Sequence, residues 1–186
     1  MMSEYLKCIL KENVFWGSLE IEMDEGRYKV PCKIDTGCSY SNLPIKSIVS
    51  EREARRMKRE DIEKQVPFQR SYGISDTEEI KRKDKMLIRQ GRLLECTSLK
   101  FEHKFHKVTL NHYDLGERTI RINYDRTGNI LIGMDILSQM DIHMGIDKNT
   151  GRYVLIGCLQ DHINTTYCAS LRDTFGILWS PGPCFR

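Results

Sequence analysis

The sequence predicts an all-β fold with at most two short helices. Apolar and polar residues alternate with the period of a strand in residues 19–34, and "TIRINY" at 119–124 alternates in the same way. The most apolar stretch, "NILIGMDIL" at 129–137, begins with a short run that is typical of a buried strand. Turn residues separate many short segments of this kind, as expected for an all-β protein.

Composition excludes several classes of protein. The chain has 186 residues, 40% hydrophobic and 30% charged, as in soluble globular proteins. A net charge of +3 gives no reason to expect a nucleic-acid or membrane partner. No apolar run approaches the roughly 18 residues of a membrane span, and the N-terminus lacks the features of a signal peptide.

Cysteine usage favours a cytoplasmic protein without a metal. The seven cysteines are odd in number, and no two form a C-x-x-C pair, so reduced thiols are expected and zinc-site spacing is absent. We expect no metal and no cofactor. We divide the chain into a main domain, residues 1–160, and an irregular C-terminal tail, residues 161–186.

The first predicted element is a β-hairpin. Leu19, Ile21 and Met23 alternate with glutamates, residues 24–26 form the turn, and the returning strand ends at Ile34. Asp35-Thr36-Gly37 therefore lies at the exit of a strand.

Residues 50–64 predict an exposed helix of three or four turns. Ser50 and Glu53 form a capping box, and the interior has few β-branched residues. Its basic and acidic residues nearly cancel. A patch for an acidic ligand is one interpretation, but we favour a solvated face with ion pairs.

A second hairpin is predicted within "FQRSYGISDTEEIKRKDKMLI", with a polar tip from Gly73 to Glu79. On this hairpin, "KRKDK" at 81–85 is interpreted as a solvated strand edge rather than a phosphate-binding patch. Short β-prone runs follow as far as Gly128, then a buried strand, Ile130–Ile132, and a short helix within 134–140.

The last predicted strands are residues 141–146 and "GRYVLIGCL" at 151–159. Three histidines, His103, His106 and His112, suggest a metal site. We favour polar hairpin positions, because His103 and His106 would point to opposite faces of a strand.

Two motifs in this frame carry chemistry: "DTGCSYS" at 35–41 and "ILIGMDIL" at 130–137. Together they resemble the retropepsin-like aspartic proteases, in their cellular, non-viral branch, over approximately residues 15–159. In that family Asp-Thr/Ser-Gly is followed by a small residue, two variable positions and Ser or Thr. Cys38 stands where Ala or Ser is usual, and Met134 where viral enzymes carry Arg. The resemblance implies a closed β-barrel of the acid-protease fold.

The resemblance also implies a homodimeric aspartic endopeptidase acting on an extended peptide or protein substrate. Two carboxyls about 3 Å apart cannot both ionise, so they share one proton and act together as base and acid on a water. The chain contains only one Asp-Thr-Gly, so the second carboxyl must be Asp35 of another copy. By the family pattern, Thr36 joins the two active-site loops, and Gly37 allows close approach of the backbone.

The same resemblance implies further site residues. Ser39 and Tyr40 line the substrate channel, and the hairpin around Gly73 is a flap whose Tyr72 and Ile74 face the substrate. Four residues support the active site: Ser41, Ile132, Gly133 and Asp135. For Asp135 we favour an N-cap of the short helix over an orienting role. For Cys38 we favour a small buried residue over a redox brake.

These interpretations have less specific alternatives. Asp35 is also compatible with a structural turn, although the second motif favours catalysis. The same fold serves equally for a non-catalytic module that dimerises or binds peptides. The tail has two open interpretations: an inhibitory extension over the cleft or the dimer interface, and extra packing against the body.

Overall fold

Eleven strands and four α-helices make up the part of the chain that the computed structural model describes, residues 4–64, 68–69 and 77–179. The strands are β1 Leu6–Lys11, β2 Val14–Met23, β3 Gly26–Ile34, β4 Asn42–Pro44, β5 Phe68–Gln69, β6 Lys100–Leu110, β7 Tyr113–Asn123, β8 Ile130–Ile132, β9 Met140–Asp147, β10 Tyr153–Leu159 and β11 Phe175–Trp179. The helices are α1 Glu51–Glu63, α2 Glu78–Arg89, α3 Met134–Leu137 and α4 Thr165–Thr174. The prediction of a mainly β fold is confirmed, although the helices are more numerous than expected.

The chain divides into two compact units. The first contains the described parts of Met1–Ser41, Phe105–Arg118 and Leu131–Arg186, and the second contains those of Asn42–Lys104 and Thr119–Ile130. In the first unit the strand order is β11-β9-β10-β1-β2-β3, and β2 also pairs with β6 from Leu19 to Glu22. In the second, β4 runs parallel to β7, and β5 pairs antiparallel with β6. Among the described residues, no helix is long and apolar enough to cross a membrane.

The first hairpin forms as the alternation predicts. Strands β2 and β3 pair from Phe15–Ile34 to Met23–Gly26, which leaves a two-residue turn. Gly26 has a φ of +147°, which a residue with a side chain rarely adopts. Leu19 and Ile21 are fully buried, as is Cys32 on the returning strand. This hairpin brings the chain to Asp35.

Helix α1 is confirmed, together with its predicted cap. The Ser50 hydroxyl accepts a hydrogen bond from the Glu53 amide at 3.2 Å. The helix is less exposed than predicted, because Ala54, Met57 and Lys58 are buried. The Lys58 ammonium donates to the carbonyls of residues 94 and 96 and to a carboxylate of residue 125, so this charge is structural.

The predicted second hairpin is wrong in its returning arm, which is helix α2. The Thr77 hydroxyl accepts from the Ile80 amide at 3.3 Å, and two glutamates in the first turn favour a helix N-terminus. The "KRKDK" segment therefore lies inside a helix and is not a strand edge. Its Asp84 is fully buried and accepts from the amides of Thr97 and Ser98. Ile80, Leu87 and Ile88 have helical spacing, and this signal was present in the sequence.

Residues 161–179 do not form the irregular tail that the sequence predicted. Asn164 caps helix α4 by accepting from the Tyr167 amide at 2.8 Å, and Tyr167 and Leu171 are buried on one face. The chain then forms β11 along β9. Residues 161–179 thus pack against their own unit, in line with the packing interpretation. The boundary between 160 and 161 stays a prediction.

The long hairpin of β6 and β7 replaces the shorter runs that were expected. Its two-residue turn, Asn111–His112, has φ values of 49° and 67°, as in turns that match the twist of a hairpin. His103 binds the Asp61 carboxylate at 2.9 Å, while His106 faces outward. Within residues 4–64 and 77–179, no three potential ligands are close enough to hold a metal ion.

An ion pair between β1 and β9 makes stability depend on pH. The Lys7 ammonium donates to the buried Asp147 carboxylate, and this hydrogen bond lowers the pKa of Asp147. Because the folded pKa is below the unfolded value, the contribution is present above the unfolded pKa and is lost as pH falls through the folded pKa. Lys7→Met is expected to lower stability at neutral pH by up to about 1 kcal/mol.

Urea unfolding measures this effect. The wild type and Lys7→Met should differ at about pH 7, and the difference should be smaller at about pH 3, which lies below the unfolded pKa of an aspartate. Lys29→Met, at an exposed position of β3, is the control and should change little. An equal difference between wild type and Lys7→Met at both pH values would show that the lysine acts through packing alone.

Candidate active site

Asp35 lies where strand β3 meets the second motif. Its amide donates to the Ile132 carbonyl at 2.9 Å. This hydrogen bond joins the ends of β3 and β8, the strands that lead into the two motif loops. A tight turn follows, in which the Cys38 amide donates to the Asp35 carbonyl at 3.2 Å. The Gly37 amide donates to Asp35 Oδ1 at 2.9 Å and fixes one carboxylate oxygen.

The rest of the motif faces solvent. Asp35 is half-buried, and Thr36 and Gly37 are exposed. Among the described residues, the second carboxylate oxygen of Asp35, Oδ2, and the Thr36 hydroxyl are thus left without an intramolecular hydrogen bond.

The Asp-Thr-Gly loop itself caps helix α3. This helix begins after Gly133 and has no N-cap side chain. Instead, the Met134 amide donates to the Cys38 carbonyl at 2.8 Å, and the Asp135 amide donates to the Ser39 carbonyl at 3.1 Å. Helix N-termini need such acceptors. Backbone carbonyls serve this role here, and they carry no sequence signal by which they could have been identified.

Ser41 and Asp135 close the junction between the two loops. Ser41 is fully buried, and its amide and hydroxyl both donate to Asp135 Oδ1 at 2.7 Å. The Ser41 hydroxyl in turn accepts from the Gly133 amide at 3.0 Å. The interpretation of Asp135 as the N-cap is wrong, because Gly133 holds that position. Asp135 Oδ1 binds Ser41 across the junction and also accepts from the Ile136 amide of its own helix at 3.0 Å.

Gly133 lies too close to the first loop for any side chain. A Cβ atom built on it would be 2.7 Å from the Cys38 carbonyl oxygen and 2.7 Å from the Tyr40 carbonyl carbon. Both neighbours are backbone atoms, which cannot rotate away. The glycine of the second motif therefore allows the two loops to make the hydrogen bonds described above.

The structure brings some of the predicted substrate-contacting residues to the site. Ser39 and Tyr40 are exposed beside Asp35, and Tyr40 has 47% of its surface accessible. The predicted flap residues Tyr72, Gly73 and Ile74 lie outside the described residues. Met134, which the sequence analysis noted only as a departure from the viral pattern, is 37% exposed and hydrogen-bonded to the same loop.

Cysteine chemistry does not compete with the carboxyl at this site. Cys32 lies three residues before Asp35, and burial raises its pKa to about 12, so its thiol stays protonated at neutral pH. Cys38 is half-buried rather than buried, as the sequence interpretation had it, and its thiol donates to the Tyr40 carbonyl at 3.0 Å.

Comparison with known proteins shows a similarity in structure but none in sequence. No model of a known protein family matches the sequence, and no curated protein matches it. Among solved structures, the chain is similar to a retropepsin-like aspartic protease from Rickettsia conorii, with 12% sequence identity and a TM-score of 0.45. The similarity covers 82% of this chain and 89% of that chain. The loops of the two motifs meet in the mainly β architecture that the sequence predicted.

Proposed function

We propose that this chain is a homodimeric aspartic endopeptidase of the retropepsin-like kind. The observation that carries the proposal is the hydrogen-bonded junction of the two motif loops, which presents Asp35 with Oδ1 fixed by Gly37 and Oδ2 open. A rigid loop of this kind is what a pair of carboxyls needs if they are to be held at a constant separation.

The second carboxyl would come from Asp35 of another copy. Two-fold symmetry places identical residues on opposite sides of one axis. The exposure of Thr36 and Gly37 supports this, because the groups that would meet at the axis are accessible on a single chain. An extended peptide would then cross the axis beside Tyr40.

The chemistry follows from one shared proton. The ionised Asp35 carboxylate accepts a proton from a water molecule while the oxygen of that water attacks the carbonyl carbon of the peptide bond. The protonated Asp35 of the other copy donates its proton to the carbonyl oxygen. Collapse of the tetrahedral intermediate breaks the C–N bond, and the first carboxyl gives its proton to the leaving amine. One hydroxyl of the intermediate returns its proton to the second carboxylate, which restores the pair with one proton. Two closely spaced carboxyls keep one proton between them because their titrations separate.

The thiols support a reducing compartment, and we place the activity in the cytoplasm. The six cysteines within the described residues are all free, and four of them are buried. Reduced thiols of this kind persist where glutathione and thioredoxin operate. The proposal needs no cofactor, no nucleic acid and no membrane.

A peptide library tests the proposal. The purified chain is incubated with a diverse library from about pH 4 to about pH 8, because the pH at which a carboxyl pair holds one proton depends on its surroundings. The products are read by mass spectrometry. Cleavage at defined sites is expected. An intact library, with a dimer demonstrated by sedimentation, would instead favour the alternative of a non-catalytic dimerisation or peptide-binding module.

Dilution gives an independent expectation. If each active site is built from two chains, specific activity falls as the dimer dissociates, because a monomer holds only one carboxyl of the pair. Cleavage rate and sedimentation coefficient, measured over the same concentration series, should change at the same protein concentration. Constant specific activity in a fully dissociated sample would contradict the shared site.

A further inference from the structure

The outer face of helix α1 carries four exposed arginines. They line a groove of about 370 Å³ together with two glutamates, and the lining residues are Arg52, Arg55, Arg56, Arg59, Glu60 and Glu63. On a helix the four arginine positions lie on one side, opposite the buried Ala54, Met57 and Lys58. This arginine groove therefore belongs to the face that packing leaves open.

Ion pairs account for only part of this face. Arg55 pairs with Glu51 at 2.9 Å, and Arg56 binds the carboxylates of Glu53 and Glu60. Arg52 and Arg59, by contrast, make no ion pair with any residue that the structure describes. The prediction of a solvated, ion-paired face is thus correct for the two central arginines, Arg55 and Arg56. It does not account for the two outer arginines, Arg52 and Arg59.

The two outer arginines have a defined spacing. They are seven positions apart, which is close to two helical turns and about 10.5 Å along the axis. In an extended peptide, residues three positions apart are separated by about 10 Å. Two carboxylates at that spacing can each meet one guanidinium, whose paired N–H groups match the two oxygens of a carboxylate.

We propose that the arginine groove binds an acidic peptide segment, with Arg52 and Arg59 each taking one carboxylate. The remaining lining favours a peptide over a nucleic acid. Glu60 and Glu63 stand in the same groove and would repel a strand that carries a phosphate at every nucleotide. A peptide can place neutral residues opposite these glutamates and acidic ones opposite the arginines. Binding requires no cleavage, so it stands independently of the role of Asp35.

Fluorescence anisotropy with two labelled peptides tests the site. One peptide, of about twelve extended residues, carries glutamates at every third position among glycine and serine, and the other carries glutamines instead. The full chain should bind the first peptide, and the second should bind weakly or not at all. Arg52→Gln combined with Arg59→Gln should weaken binding about tenfold, the size expected for two exposed charge pairs.

A matched control lies on helix α2. Arg82 and Arg89 are also exposed and also seven positions apart, so Arg82→Gln with Arg89→Gln removes the same charge at the same spacing. This control should leave the affinity for the acidic peptide within about twofold, since remote surface charges are screened by salt. Equal losses in both double variants, or equal binding of the two peptides, would overturn the proposal. Tighter binding of a single-stranded oligonucleotide than of the acidic peptide would overturn it as well.

Discussion

Asp35→Asn is expected to abolish peptide cleavage while leaving the fold intact. Asparagine has nearly the same shape, and its Oδ1 can still accept the hydrogen bond from the Gly37 amide. It cannot accept a proton from water, and in a homodimer one substitution removes both carboxyls of the pair. General acid–base groups contribute about 10²–10⁴-fold each, so the rate should fall to background.

The control for this variant is Asp24→Asn. Asp24 is an exposed aspartate in the turn between β2 and β3, where the same chemical change touches no site residue. The rate of cleavage of one library-derived peptide, the sedimentation coefficient and the urea midpoint should be measured for all three proteins. Asp35→Asn should match the wild type in mass and stability and differ in rate alone. An Asp35→Asn protein that cleaves at the wild-type rate would end the aspartic-protease proposal.

Gly133→Ala is expected to damage both stability and cleavage. The new Cβ would lie 2.7 Å from backbone atoms of Cys38 and Tyr40, so one loop has to move. Movement lengthens the hydrogen bonds from Gly133 to Ser41 and from Met134 to Cys38. Overpacking of this kind costs about 1–3 kcal/mol. A displaced carboxyl should also reduce the cleavage rate by at least about tenfold, because the reacting groups must be aligned.

Gly176→Ala serves as the comparison. Gly176 lies in β11, and the nearest neighbour of a Cβ built there is a carbonyl oxygen at 3.8 Å, an ordinary contact. Urea unfolding should show a clear loss for Gly133→Ala and a change within about 0.5 kcal/mol for Gly176→Ala, as for substitutions without a special mechanism. Equal stability of the two variants would show that the loops adapt to a side chain at Gly133 at no cost.

Local interactions explain which elements could be predicted. The β2–β3 hairpin is encoded by alternation over neighbouring residues, and helix α1 by a cap whose two partners are three positions apart. The strand Ile130–Ile132 followed from its apolar composition. These features depend on contacts within a few residues, so a single sequence suffices to identify them.

The wrong predictions, those for helices α2 and α4, also have a physical origin. For helix α2 the sequence contained the helical spacing of Ile80, Leu87 and Ile88, but it did not indicate that Asp84 is buried with the amides of Thr97 and Ser98 as its partners. Helix α4 was not predicted because the partners of its buried Tyr167 are distant in sequence: the hydroxyl donates to the Asp141 carbonyl, and the ring lies against His143. Intrinsic propensity is a weak indicator wherever such tertiary contacts decide the outcome.

The sequence by itself determined which two motifs this protein carries: one Asp-Thr-Gly at the end of a strand and one apolar-Gly-x-Asp motif. Tertiary structure alone decided that these motifs meet. Ser41 and Asp135 are 94 positions apart, and the carbonyls that cap helix α3 belong to the loop of Asp35. The physical reason is that backbone groups and distant side chains must satisfy one another when buried, and the choice of partner is made by packing rather than by neighbouring residues.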